Sequence, residues 1–186
     1  ADIEAQLRLN ALAPLLVARA ASPGMRARGR GRIIAVGSTN GLLVTPFMGA
    51  YSAGKFALEA FSDALRLELL PFGVEVVLIQ PGAMKTGFAA AAKRGLEEEA
   101  ERVGEPWAEY LLRLRDSNLW GEKTAADPRA VARAITKAAL RPRSRARLAG
   151  TRDVPLLKLF AALPDAVKDR AFIRPLRLRR APKRER

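Results

Sequence analysis

Tyr51 and Lys55 stand four residues apart at the head of an apolar-periodic run, and residues at that spacing share one face of a helix. A phenol beside an ammonium is a candidate acid with the charge that tunes it. Thirteen residues before Tyr51, Ser38 lies in the run Gly37-Ser38-Thr39-Asn40-Gly41 and offers a hydroxyl to the same place. The chain has no histidine and no cysteine, which removes the commonest general base, the thiolate nucleophile and the thiolate metal site. Tyr, Lys, Ser, Asp and Glu must do any chemistry.

The elements that would hold these groups follow from hydrophobic pattern. Arg32 to Val36 is a short continuous apolar run, expected to form a strand buried on both faces of a parallel sheet, with Ser38 just past its carboxyl end. Residues 49–70 repeat apolar positions every three or four residues and form a helix closed by Pro71-Phe72-Gly73. Val74 to Ile79 is a second buried strand, stopped by Pro81-Gly82, and strand, helix and strand make a βαβ unit.

Upstream, residues 2–20 place Ile3, Leu7, Asn10, Ala11, Pro14, Leu15 and Ala18 on one helical stripe, kinked or adjusted near Pro14. Asn10 on that stripe needs a partner, either a backbone carbonyl or a water or ligand. Residues 22–31 read as a turn. Downstream, residues 87–115 read as two short helices, expected to form a substrate lid or ordinary packing surface. Asp127-Pro128 opens a helix with Val131, Ala134, Ile135, Ala138 and Ala139 inward. Residues 145–149 suit a third strand, and Val154 to Ala171 an apolar helix broken at Pro164.

At 186 residues and 49% apolar composition the chain can bury one core. Its formal charge of +14 is concentrated at one end: residues 141–186 hold fifteen Lys/Arg against four Asp/Glu, a net of +11. A basic tail over residues 171–186 attracts phosphates or an anionic lipid surface, with a solvated arginine-rich end as the plain alternative. Charge alone does not make a specific nucleic-acid binder. No apolar run reaches the length of a membrane span and the first residues lack a signal-peptide pattern, so a cytoplasmic protein is expected.

Ser38, Tyr51-x-x-x-Lys55, the strand ending in Pro81-Gly82, Thr86 four residues past that glycine, and Asn10 upstream occur in one order. Together they resemble the catalytic portion of a classical short-chain dehydrogenase/reductase, closely over residues 1–88 and loosely, in the manner of hydroxysteroid and retinol dehydrogenase-like members, over 127–170. The resemblance implies an α/β fold, the C-terminal part of a Rossmann-like doubly wound parallel sheet with helices on both faces, spanning residues 1–170. It implies NAD or NADP as cofactor, an alcohol or ketone as the small-molecule substrate, and a homo-oligomer paired through the helices at 2–20 and 49–70. In such enzymes Tyr51 would give or take the proton, Lys55 would lower its pKa and hold the nicotinamide ribose, and Ser38 would orient the substrate oxygen. Asn10 would hold a relay water, while Pro81, Gly82 and Thr86 would line the nicotinamide.

The family's opening strand and glycine-rich phosphate turn have no counterpart before Asn10. Three explanations are open: an N-terminal segment outside this chain, which is favoured, a second chain, or a short form without a dinucleotide site. Within this chain alone the strand at 32–36 is expected to carry an unpaired apolar edge. Two function classes remain: an oxidoreductase for a lipophilic secondary alcohol or ketone, with Phe47, Met48, Met84, Phe88, Trp107 and Tyr110 near its pocket, or a catalytically silent scaffold or signalling fragment held at a membrane by Leu156, Leu157, Leu159, Phe160 and the tail.

Overall fold

A computed structural model describes residues 3–178. Three parallel strands form its sheet in the order β1 (Gly31–Val36), β2 (Val74–Gln80) and β3 (Arg147–Ala149). Gly31 pairs with Val74 and the register runs to Val36 with Ile79; on the other side Leu78 pairs with Arg147 and Gln80 with Ala149. β2 is the middle strand, so Val76 to Gln80 are buried. β1 is only half-buried and Val36 is exposed, because its outer edge has no strand beside it among the described residues. The open edge matches the sequence expectation; burial of this strand on both faces does not.

Side-chain alternation along β2 divides the core. Val77 and Ile79 meet Val131 and Ala138 of α6 (Arg129–Leu140) on one face. Val74 and Val76 meet Met25 of α2 (Ala13–Ala27) and Leu65 of α3 (Gly49–Glu68) on the other. Ala139 of α6, expected inward, is exposed.

The first helix is built in three parts: α1 (Ile3–Leu7), a wide π-turn over Arg8–Leu12, and α2. Pro14 has no N–H to give the carbonyl of Asn10, and the wide turn accommodates that missing bond without a break. The helix then continues through residues 22–27, where a turn was expected. Pro23 leaves the Arg19 carbonyl without its N–H, and the Ser22 hydroxyl donates to that carbonyl at 3.1 Å instead. Of the expected inward stripe, Ala11 and Ala18 are buried, whereas Ile3 is 64% exposed.

After β2 come α4 (Gly87–Arg102) and α5 (Trp107–Asp116), the first of them longer than the short helix expected there. Leu96 and Ala100 of α4, Leu111 and Leu114 of α5, and Leu176 form a separate buried cluster. Leu176 belongs to α8 (Asp165–Leu176), which follows α7 (Val154–Ala161) across a break at Pro164. The domain boundary expected at residue 170 therefore falls inside a helix whose end is core, and the tail residues 179–186 lie outside the described residues.

Candidate active site

Ser38 is fixed by the strand ends. The Gly37 N–H donates to the Ile79 carbonyl and the Thr39 N–H to the Pro81 carbonyl, both at 2.8 Å, so the loop after β1 is laced to the chain leaving β2. The Ser38 hydroxyl accepts from the Asn40 N–H at 3.1 Å and starts a short turn over Thr39–Gly41. Tyr51 lies in the first turn of α3, with the Ser38 hydroxyl close enough to its own to act on its acidity. Its ring packs against Phe88 with centroids 5.2 Å apart. Lys55, one turn on, donates from Nζ to the Val36 carbonyl at 3.3 Å and stands 5.7 Å from the Tyr51 ring centroid.

Burial raises the Tyr51 pKa above the ordinary phenol value, and the Ser38 hydrogen bond opposes that rise. Burial lowers the Lys55 pKa, since a desolvated ammonium is costly. The sequence makes Lys55 the group that lowers the phenol pKa. In the structure the Ser38 hydroxyl lowers it, and the Lys55 ammonium, near the Tyr51 ring, donates to a strand-end carbonyl.

A cavity of about 570 Å³ opens at the carboxyl ends of β1 and β2, and Ser38, Tyr51, Lys55, Pro81, Gly82 and Thr86 all line it. Thr86 also caps α4, its hydroxyl accepting from the Phe88 N–H at 3.3 Å. Asn10 does not line the cavity. Its amide donates to the Gln6 carbonyl at 3.1 Å and to Gln6 Oε1 at 2.9 Å, and a Cβ on Gly54 would lie 2.8 Å from Asn10 Cβ. Asn10 thus packs behind α3, where the π-turn and the missing side chain of Gly54 let two helices approach closely.

Met48, Met84 and Phe88 contribute to the wall, as read from the sequence. Phe47, Trp107 and Tyr110 do not; they stack edge-to-face outside it, with Trp107 6.2 Å from Phe47 and 6.3 Å from Tyr110. Trp120, Leu157 and Phe160 take their place, brought in by connections and helices far along the chain that no local motif marks. The loop after β3 also closes on the site: the Gly82 N–H donates to the Thr151 hydroxyl at 2.7 Å, and a Cβ on Gly82 would overlap the Asp153 carboxylate.

A polar network fastens α3 to the sheet. Gln80 Nε2 donates to Glu59 Oε1 at 2.6 Å, Arg147 Nε donates to Glu59 Oε2 at 2.9 Å, and the Arg147 guanidinium also binds both oxygens of Asp63 at 3.0 and 2.6 Å. Glu59 lies four residues past Lys55, on the same helical face, which is the one sequence signal that it shares the site's supports.

A family model described as short chain dehydrogenase matches residues 1–97. The chain belongs to the short-chain dehydrogenase family. Among its relatives, the 3-ketodihydrosphingosine reductase of Bacteroides thetaiotaomicron is 34% identical over 166 residues, 88% of this chain and 61% of that protein. Human 17-beta-hydroxysteroid dehydrogenase type 1 is 33% identical over 155 residues, 82% of this chain and 47% of that one. A short-chain dehydrogenase from Streptomyces avermitilis superposes with a TM-score of 0.65 at 27% identity, over 90% of this chain and 57% of that one. This short-chain dehydrogenase chain therefore spans about half to three-fifths of the length of the relatives it matches.

The residues present suit the nicotinamide end of a dinucleotide: a cavity with apolar walls, a hydroxyl, a phenol and an amine on one side, and the bare backbone of Pro81-Gly82 on another. Among the described residues no glycine-rich phosphate turn precedes Asn10: the first glycine, Gly24, lies within α2.

Proposed function

We propose that the protein is an NAD- or NADP-dependent oxidoreductase acting on a lipophilic secondary alcohol or ketone. The observation that carries this reading is the meeting of Ser38, Tyr51 and Lys55 in one largely apolar cavity at the strand ends. When bound, a nicotinamide ring supplies or accepts the hydride at the carbonyl carbon. Lys55 holds the ribose hydroxyls beside it, and Pro81, Gly82 and Thr86 form the wall against the ring.

The chain's own residues handle the proton. Ser38 donates a hydrogen bond to the substrate oxygen and fixes its direction. Tyr51 gives its proton to that oxygen in reduction and takes it back in oxidation. A phenol is already protonated at neutral pH, the state a reductase needs before the reaction, and burial favours that neutral form further. The walls of Met48, Met84, Trp120, Leu157 and Phe160 favour an apolar substrate. Relatives named for a ketosphingosine and a hydroxysteroid agree with that class.

Exposed apolar side chains on the helices at the front of the chain, Leu9 at 69%, Val17 at 70% and Phe56 at 42%, suit pairing with a second copy. Calorimetric titration of the verified full-length protein with NADH and NADPH tests the reading: binding of either supports it, and binding of neither favours the silent dehydrogenase-like scaffold.

A further inference from the structure

α7 has two apolar faces, of which only one is used inside the protein. Leu157 and Phe160, three residues apart, face the cavity. Leu156 stands at the cavity rim and is 69% exposed, and Leu159, three residues on, is 66% exposed. Leu163, in the turn beyond, continues that outer stripe and is also exposed. On α8, Val167 and Ile173 are each 42% exposed. A stripe of leucines left in water marks a surface that something else covers.

Charge says what covers it. Arg152 precedes the stripe and Arg170, Arg174 and Arg177 follow it, all exposed, and over residues 152–177 six Lys/Arg stand against three Asp/Glu. One of those acids, Asp165, is paired with Lys168 at 2.8 Å. A second copy of the chain docking through the same face would set two basic surfaces against each other, so symmetric self-pairing here works against charge. An anionic lipid surface meets both features at once, taking leucines into the acyl boundary and arginines at the headgroups. No helix among the described residues is long and apolar enough to cross a membrane, so contact of this kind lies along the surface.

We propose that the α7–α8 segment docks on an anionic membrane through Leu156, Leu159 and Leu163, with the flanking arginines on lipid headgroups. Because α7 is also a wall of the cavity, docking places the cavity rim at the lipid phase, where an apolar substrate is concentrated. The stripe is only two helical turns long, so apolar burial and charge must act together.

Cosedimentation of the whole protein with vesicles tests this. Vesicles of about one part phosphatidylserine to two parts phosphatidylcholine are expected to bind it, pure phosphatidylcholine vesicles at least roughly tenfold less, and added salt to release it. The double variant Leu156→Glu/Leu159→Glu is expected to partition at least roughly tenfold less than wild type, with unchanged circular dichroism because both side chains are exposed. Three results overturn the proposal: no binding by wild type, equal binding by the double variant, which gives the interaction to the basic tail alone, or a variant whose main effect in light scattering is loss of an oligomer. The readout needs no turnover, so its failure is separable from failure of the oxidoreductase reading.

Discussion

Gln80, the last residue of β2, donates its side-chain amide to Glu59 of α3 at 2.6 Å, with Gln80 fully buried. The contact joins the strand that ends at Pro81 and Gly82 to the helix that carries Tyr51 and Lys55. Arg147 reaches the same side chain from β3, so three elements that line or support the cavity share one carboxyl group. Tyr51 and Ser38 belong to different elements, and their hydroxyls stay together only if α3 keeps its height on the sheet.

Glu59→Ala leaves the Gln80 amide and part of the Arg147 guanidinium without their acceptor. A loss of about 2–3 kcal/mol is expected, with Glu59→Gln recovering part of it by keeping an acceptor for Gln80. Urea unfolding followed by circular dichroism measures both variants, and equal stability of Glu59→Ala and wild type would remove the network from the fold's supports.

Asp63 responds to acid in a way whose sign is fixed. The Arg147 guanidinium, with Arg66 adding to it, holds the Asp63 pKa below its ordinary value of 3.8. A depressed carboxyl contributes stability that is fully present above the unfolded pKa and lost as pH falls through the folded one. The stability gap between wild type and Asp63→Asn should therefore be constant above about pH 5 and narrow below 3.8. Denaturation midpoints across that range check it, and a gap that widens in acid contradicts the pairing.

Tyr51 and Tyr110 are the only tyrosines, so in a Tyr110→Phe background the ultraviolet absorbance of tyrosinate reports Tyr51 alone. Its midpoint is expected above 10.0, because burial disfavours the phenolate. Ser38→Ala removes the one opposing hydrogen bond and should move the midpoint higher still. Since the folded value exceeds the unfolded one, the native state should hold its full stability below pH 10 and lose it as pH rises through the Tyr51 midpoint. A midpoint that falls in Ser38→Ala contradicts the direct bond between the two hydroxyls.

Local pattern carried much of this. Tyr51, Lys55 and Ser38 sit on elements set by hydrophobic period, and the apolar run of β2 ending at Pro81-Gly82 marks the strand end where they meet. What it could not carry were relations between distant residues. The Lys55 ammonium, beside the Tyr51 ring, finds its acceptor in the Val36 carbonyl, and nothing in a four-residue spacing reports where a flexible side chain finds its acceptor. Asn10 was placed on the right helix, yet the close packing at Gly54 sets it behind α3, outside the cavity. Leu176 falls within residues 171–186, read as a basic tail because arginines surround it, although the residue itself is core.

Turnover of a lipophilic ketone by the protein with reduced nicotinamide cofactor, compared between wild type and Tyr51→Phe, bears most directly on the role given to this cavity. The substitution deletes one hydroxyl and leaves the ring packed on Phe88, so the fold should persist while kcat falls by roughly 10²–10⁴. Equal rates in the two proteins, with circular dichroism unchanged, would show that the proton comes from elsewhere and that Tyr51 is a packing residue.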